Sequence, residues 1–238
     1  VFIFNFFLAS NTSGQNNDYN NNLNLANEFY ANKKYEKASV LFEKLYKKKK
    51  SSKIYSSYLD CLIKLSEFEK AVEVVKSYYK KSGKNPAILI DLGELYILKG
   101  DSDLAKIQFN QSIQEIKNKP NFILSVASNF YKKNLYKYAL QAYLLAKEKN
   151  KNSNYSFQIA NIYAQLGEIE NMYTELLDLL ERFPSYLQTC KNRIIRTIND
   201  DSKNENNILF KKIIIKKLQK KDSEILNDLL VWLYLQEK

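Results

Sequence analysis

Histidine is absent from this 238-residue chain, and glycine (5), proline (3), cysteine (2), methionine (1) and tryptophan (1) are scarce. Without histidine there is no Ser-His-Asp or Cys-His nucleophile system, no imidazole metal ligand and no side chain whose ordinary pKa lies near neutrality. The glycines, Gly83, Gly93, Gly100 and Gly167 among them, stand apart from one another, so no glycine-rich phosphate loop is present. Paired acids occur at Glu67 and Glu69, Asp101 and Asp103, and Asp200 and Asp201. They fall in turns or at helix starts, where a carboxylate complements the helix dipole. No catalytic residue, metal ligand or cofactor is read from them, and the chain is expected to be non-enzymatic. Arginine is nearly missing too: of 37 basic residues only Arg182, Arg193 and Arg196 are arginines. The net charge of +11 admits an acidic partner, but nucleic-acid readers lean on arginine for bidentate and stacking contacts. Lysine here accompanies abundant Asn, Ile, Tyr and Phe, the signature of AT-rich coding. Cys61 and Cys190 lie too far apart along the chain's helices to pair and read as buried thiols.

What the chain does have is a period. Ala38, Ala71, Ala105, Ala139 and Met172 follow one another at 33 or 34 residues. Tyr35, Phe68, Tyr136 and Ile169 stand three residues before these positions, with Ser102 the exception, and Phe42, Val75, Phe109, Tyr143 and Leu176 stand four after. Further upstream come Phe29, Leu62, Tyr96, Phe130 and Tyr163, preceded in turn by apolar pairs such as Tyr58-Leu59 and Ile159-Ala160. Apolar steps of three, four and seven on both sides of a short polar break predict two amphipathic helices per unit, a helical hairpin. Gly100 and Gly167 suit the left-handed residue that ends a first helix, and Asn32 and Asn134 are the next best residues near such a turn. Pro86, Pro120 and Pro184 mark unit boundaries. A small residue is required where the two helices cross closest, and Met172 is unbranched enough to fit a wider crossing.

This pattern resembles the tetratricopeptide repeat. Unit three carries it best, with Leu92-Gly93, Tyr96, Gly100, Ala105 and Phe109, and unit five adds Ala160, Tyr163, Gly167 and Pro184. The resemblance covers residues 19–184 as five units, 19–51, 52–85, 86–119, 120–152 and 153–184. It implies an all-α, right-handed solenoid of stacked antiparallel hairpins whose concave face, lined by first helices, binds a protein or peptide partner. Pro184-Ser185-Tyr186-Leu187-Gln188 and Leu230-Val231-Trp232-Leu233 are also similar to segments of exported tetratricopeptide proteins of Bacteroidota.

Residues 1–9, Val1 to Ala9, are almost wholly apolar and fall outside the repeat. With the small polar residues up to Gly14 they read as part of a signal peptide, placing the chain in the periplasm or cell envelope, or in the cytoplasm if the run instead docks on the first hairpin. The run is too short to span a bilayer. Residues 15–18 read as a flexible Asn-rich lead-in. Residues 185–238 read as a divergent helical extension, cut off at its end as the chain is at its start, with helices at Tyr186–Ile198, Ile208–Lys221 and Ser223–Gln236. In the second of these the lysine stems are expected to lie over a packed helix pair, with binding to an acidic surface as the alternative.

On the first helices, Asn27, Tyr30, Lys53, Asp60, Lys64, Glu94, Asn121, Ser128, Tyr131, Lys132, Asn154, Phe157, Asn161 and Gln165 are the candidate groove residues. They are mixed in charge and rich in amides and aromatics, suited to an extended peptide or partner helix. They depart from the clamp by which chaperone-binding members hold a C-terminal carboxylate: Asn27 fits one place, but Leu23, Ser57, Ala87 and Asp91 stand at the others. A basic solenoid that binds nucleic acid or an anionic envelope surface is the alternative function.

Overall fold

The computed structural model describes residues 10–150 and 155–237, with side chains from residue 17 onward. Among the described residues the regular elements are all helices: α1 (Ser10–Ala31), α2 (Tyr35–Lys48), α3 (Ser52–Lys64), α4 (Phe68–Lys81), α5 (Ile88–Leu98), α6 (Ser102–Asn118), α7 (Ile123–Lys132), α8 (Tyr136–Lys149), α9 (Ser156–Gln165), α10 (Ile169–Arg182), α11 (Leu187–Ile194), α12 (Glu205–Leu218) and α13 (Glu224–Gln236). Single 3-10 turns at Pro120–Phe122 and Pro184–Tyr186 precede α7 and α11, each with proline at its first position. The fold is all-α, of the stacked-hairpin solenoid class. Two compact units divide the chain, residues 1–112 and residues 113–238.

One backbone device builds each of the first five hairpins. Lys33, Ser66, Gly100, Asn134 and Gly167 all have left-handed φ, between +57° and +84°, and recur at the repeat's own spacing. Beside each, the next amide reaches back to close the first helix: Lys34 N–H to Phe29, Glu67 to Leu62, Asp101 to Tyr96, Leu135 to Phe130 and Glu168 to Tyr163, all at 2.8–2.9 Å. This is the six-to-one bond of a Schellman stop. The same five closing residues then accept from the amides of Ala38, Ala71, Ala105, Ala139 and Met172 at 3.0–3.1 Å, which starts the second helix. Aromatic column, turn and small anchor are thus one hydrogen-bonded unit. Glycine occupies the left-handed position in only two of the five. The turn at Asn32 uses Lys33 instead, because position relative to the closing bond, not residue preference, decides which residue is left-handed.

The anchors are where the helices press together. Ala38, Ala71, Ala105 and Ala139 are 0% exposed and Met172 4%. In residues 1–112 Ala38 and Ala71 join Phe42, Leu45, Ile54, Tyr58, Leu62 and Leu95 in one core, with α1 on α2, α2 on α3, α3 on α4 and α4 on α5. In residues 113–238, α7 packs on α8, α8 on α9 and α9 on α10. Both cysteines are buried and free, and burial pushes the Cys61 thiol up to about 12 and that of Cys190 to about 11.

Two segments differ from expectation. Residues 15–18, read as a flexible lead-in, lie within α1. Although Asn16, Asn17 and Asp18 are weak helix formers, Asn22 Nδ2 donates to Asp18 Oδ1 at 2.9 Å, and Asp18 in turn pairs with Lys48 of α2 at 3.2 Å. Tyr19 and Leu23 pack against the core. The apolar run of residues 1–9 lies outside the described residues. At the other end α11 stops at Ile194 rather than Ile198, and Thr197 folds back, donating to the Ile194 carbonyl and sharing a 2.7 Å bond with the Tyr173 hydroxyl. The extension also gives up sequential pairing: α11, α12 and α13 all pack on α10, and α13 packs on α12 as well. Leu226, Leu229 and Leu233 of α13 are fully buried in that cluster, while Val231, Tyr234 and Leu235 of the same helix are exposed. Asn207, fully buried at the start of α12, holds the preceding loop by exchanging bonds with Asn199 N–H (3.2 Å) and C=O (2.9 Å) and donating to Glu237 Oε1 (3.0 Å).

Charge also links helices within the first unit. Glu43 of α2 accepts from Lys47 and from Lys70 of α4, both at 2.8 Å. The Lys47 bond first, and the Lys70 bond second, lower the carboxyl from 4.5 to about 2. A depressed carboxylate stabilises above its unfolded pKa and loses that contribution as pH falls through the folded one. The urea midpoint of the wild type should therefore fall between pH 5 and pH 2 more steeply than that of Glu43→Gln. Parallel pH profiles for the two proteins would remove this pair from the account of acid stability.

Candidate partner-binding site

Within residues 1–112 the candidate groove residues are placed on α1, α3 and α5. Tyr30 donates to Asp60 Oδ2 at 2.6 Å, joining α1 to α3, and that bond together with burial raises the phenol to about 12. A parallel link joins α3 to α5, where buried Tyr55 donates to Asp91 Oδ2 at 2.7 Å. First helices are thus stitched to one another by tyrosine–aspartate pairs, and Asp60 is occupied by that work. Asn27, Lys53 and Lys64 are exposed and Glu94 is half-buried. Of these six, Tyr30 and Asp60 are brought together.

Within residues 113–238 two candidates converge. Phe157 and Asn161, one helical turn apart on α9, both meet Arg193 of α11. The guanidinium carbon lies 4.6 Å from the Phe157 ring centroid, an Arg Nη donates to Asn161 Oδ1, and Phe157 is itself held edge-on by Tyr186 at 5.3 Å. Arg193 Nε is buried without a hydrogen-bond partner. Burial first, and the like charge of Arg196 second, lower its pKa, while Cys190 and Tyr131 of α7 act on it in the opposite sense. Ser128 and Tyr131 are half-buried, Lys132 and Gln165 exposed on their helices, Asn121 exposed in the 3-10 turn; Asn154 lies outside the described residues.

Arg193 is the residue that sequence reasoning missed. It lies beyond the last periodic anchor, and its only signal was being one of three arginines in a lysine-rich chain. Arg193 is thus a half-buried cation on an aromatic face with one unused donor, Nε. Elsewhere the described residues hold no cluster of three metal-binding side chains, and no helix is long and apolar enough to cross a membrane.

No family model matches the chain. Among solved structures it is similar to a thermophilic TPR protein from Thermus thermophilus (18% identity over 74% of this chain and 96% of that one, TM-score 0.39). It is also similar to a tetratricopeptide repeat protein from Parabacteroides merdae (14%, 91% and 98%, TM-score 0.40). A third is the TPR2AB domain of yeast Sti1 in its pHSP90 complex (14%, 93% and 98%, TM-score 0.36).

Proposed function

We propose that this chain is a non-enzymatic, tetratricopeptide-type scaffold that binds a peptide or partner protein on the first-helix face of its hairpins, and that Arg193 anchors an acidic group of that partner. The observation that carries the reading is the buried Nε of Arg193, which has no hydrogen-bond partner, on a guanidinium that lies against the Phe157 ring. A buried N–H left without an acceptor costs stability in the free protein, a cost that an arriving anion offsets. Phe157 and Tyr131 supply the aromatic surface and Asn161 the orienting amide, the mix typical of interface centres. Export to the periplasm or cell envelope is part of the proposal; it rests on the apolar residues 1–9 and the small polar residues after them.

The test is a displayed-peptide selection on the intact chain, followed by affinities of the enriched peptides for wild type and variants. The expected consensus contains Asp or Glu, and Arg193→Gln should weaken binding by about 2 kcal/mol, roughly 30-fold, as for loss of a charged hydrogen bond. Tyr131→Ala and Asn161→Ala should weaken it less. Thermal stability should hold or rise in Arg193→Gln, since a desolvated charge is removed. Enriched peptides without an acid, or binding indifferent to Arg193→Gln, would reject the anchor. Nucleic-acid affinity that falls steeply with salt would replace the scaffold reading with that of a basic solenoid.

A further inference from the structure

A second surface, independent of Arg193, lies on the outer side of α12. Phe210, Ile213 and Ile214 of this helix are buried, while Ile208 and Ile215 are 50% and 40% exposed. Those two are seven residues apart and so fall nearly in line on a helix. They border a shallow open groove of about 670 Å³ with Lys211, Lys212, Lys216 and Gln219. The lysines of α12 divide into two kinds. Lys211 is bound to Glu237 at 3.0 Å, and Lys217 to Asp178 and Glu181 at 2.5 and 2.6 Å, so both serve the fold. Lys212 and Lys216 are exposed, and among the described residues no carboxylate pairs with them.

We propose that this face docks an amphipathic helix of a partner protein whose apolar stripe is flanked by acidic residues. Two isoleucines at heptad spacing offer the seam for helix-on-helix packing, and Lys212 and Lys216 run along one side of it as flanking charges do in paired helices. A second copy of this chain is disfavoured, because the two faces would bring unpaired lysines together in a protein already carrying +11. An anionic bilayer is disfavoured because the other large apolar residues of α12 are spent in the core, leaving two isoleucines to insert where membrane-surface helices present a whole apolar face.

Fluorescence anisotropy with the full chain decides it, using three synthetic helical peptides: a leucine heptad peptide flanked by Glu, the same peptide flanked by Lys, and a scramble of the first. The Glu-flanked peptide is expected to bind and the other two not. The double variant Lys212→Glu/Lys216→Glu should weaken that binding about tenfold and create binding to the Lys-flanked peptide. Ile208→Ser/Ile215→Ser should abolish binding with the circular dichroism spectrum unchanged. The proposal is overturned if the scramble binds as well, if charge reversal leaves affinity unchanged, if phosphatidylglycerol vesicles bind and the peptide does not, or if sedimentation shows a dimer sensitive to the isoleucine substitutions.

Discussion

Replacing Gly93 by alanine is expected to destabilise residues 1–112 by about 2 kcal/mol, although alanine is the better helix former. Gly93 is buried within α5, and a Cβ placed there would lie 2.2, 2.6 and 2.8 Å from three carbons of the Phe109 ring. Helix propensity favours the substitution by about 1 kcal/mol. Overpacking a closed core costs about 1–3 kcal/mol and more when the obstructing group cannot swing away. Phe109 is 2% exposed, so its ring has nowhere to go and α6 must retreat from α5. The steric term wins. Urea unfolding of Gly93→Ala, Phe109→Leu and the double variant measures it: the double should be more stable than the two separate losses predict. Strict additivity would mean that the ring relaxes freely and that the close approach is not what glycine serves here.

The second large effect concerns Glu175 of α10, whose side chain is 8% exposed and whose two oxygens both lie 2.7 Å from Lys147 Nζ of α8. Lys147→Met should cost about 3 kcal/mol, because it strands a buried carboxylate. Glu175→Leu alone should cost less, since the lysine left behind is more exposed and can turn to solvent. Combining the two replaces an ion pair with an apolar contact and should recover most of the loss, to within about 1 kcal/mol of wild type. If the double variant is as unstable as Lys147→Met, the pair's value lies in helix positioning rather than in mutual neutralisation.

The hairpins were legible because their cause is local. An apolar period of 33 or 34 residues is the outward sign of anchors such as Ala71 and Ala105 that must be buried where helices cross, and each sits four residues after the amide that closes the preceding helix. Met172 fits its crossing as an adaptable side chain, at 4% exposure. What could not be read rests on partners remote in sequence. Tyr30 and Asp60 are both polar-face residues with no mark of being bonded across 30 positions. Arg193 meets Phe157 and Asn161 only because α11 is laid on α9. The helical start of α1 has no apolar period to announce it, and Lys33 and Ser66 adopt left-handed φ with none of glycine's signal.

The recurring stop has a kinetic consequence. Each hairpin closes through bonds between residues four or five apart, and its anchor is wired to the same turn, so the contacts that define a unit span little chain. Such low contact order favours rapid folding from several independent starting points, and folding need not wait for one obligatory nucleus. The extension after α10 is different, since α13 returns to α10 across the intervening helices. It should be the last part of the chain to become protected against hydrogen exchange.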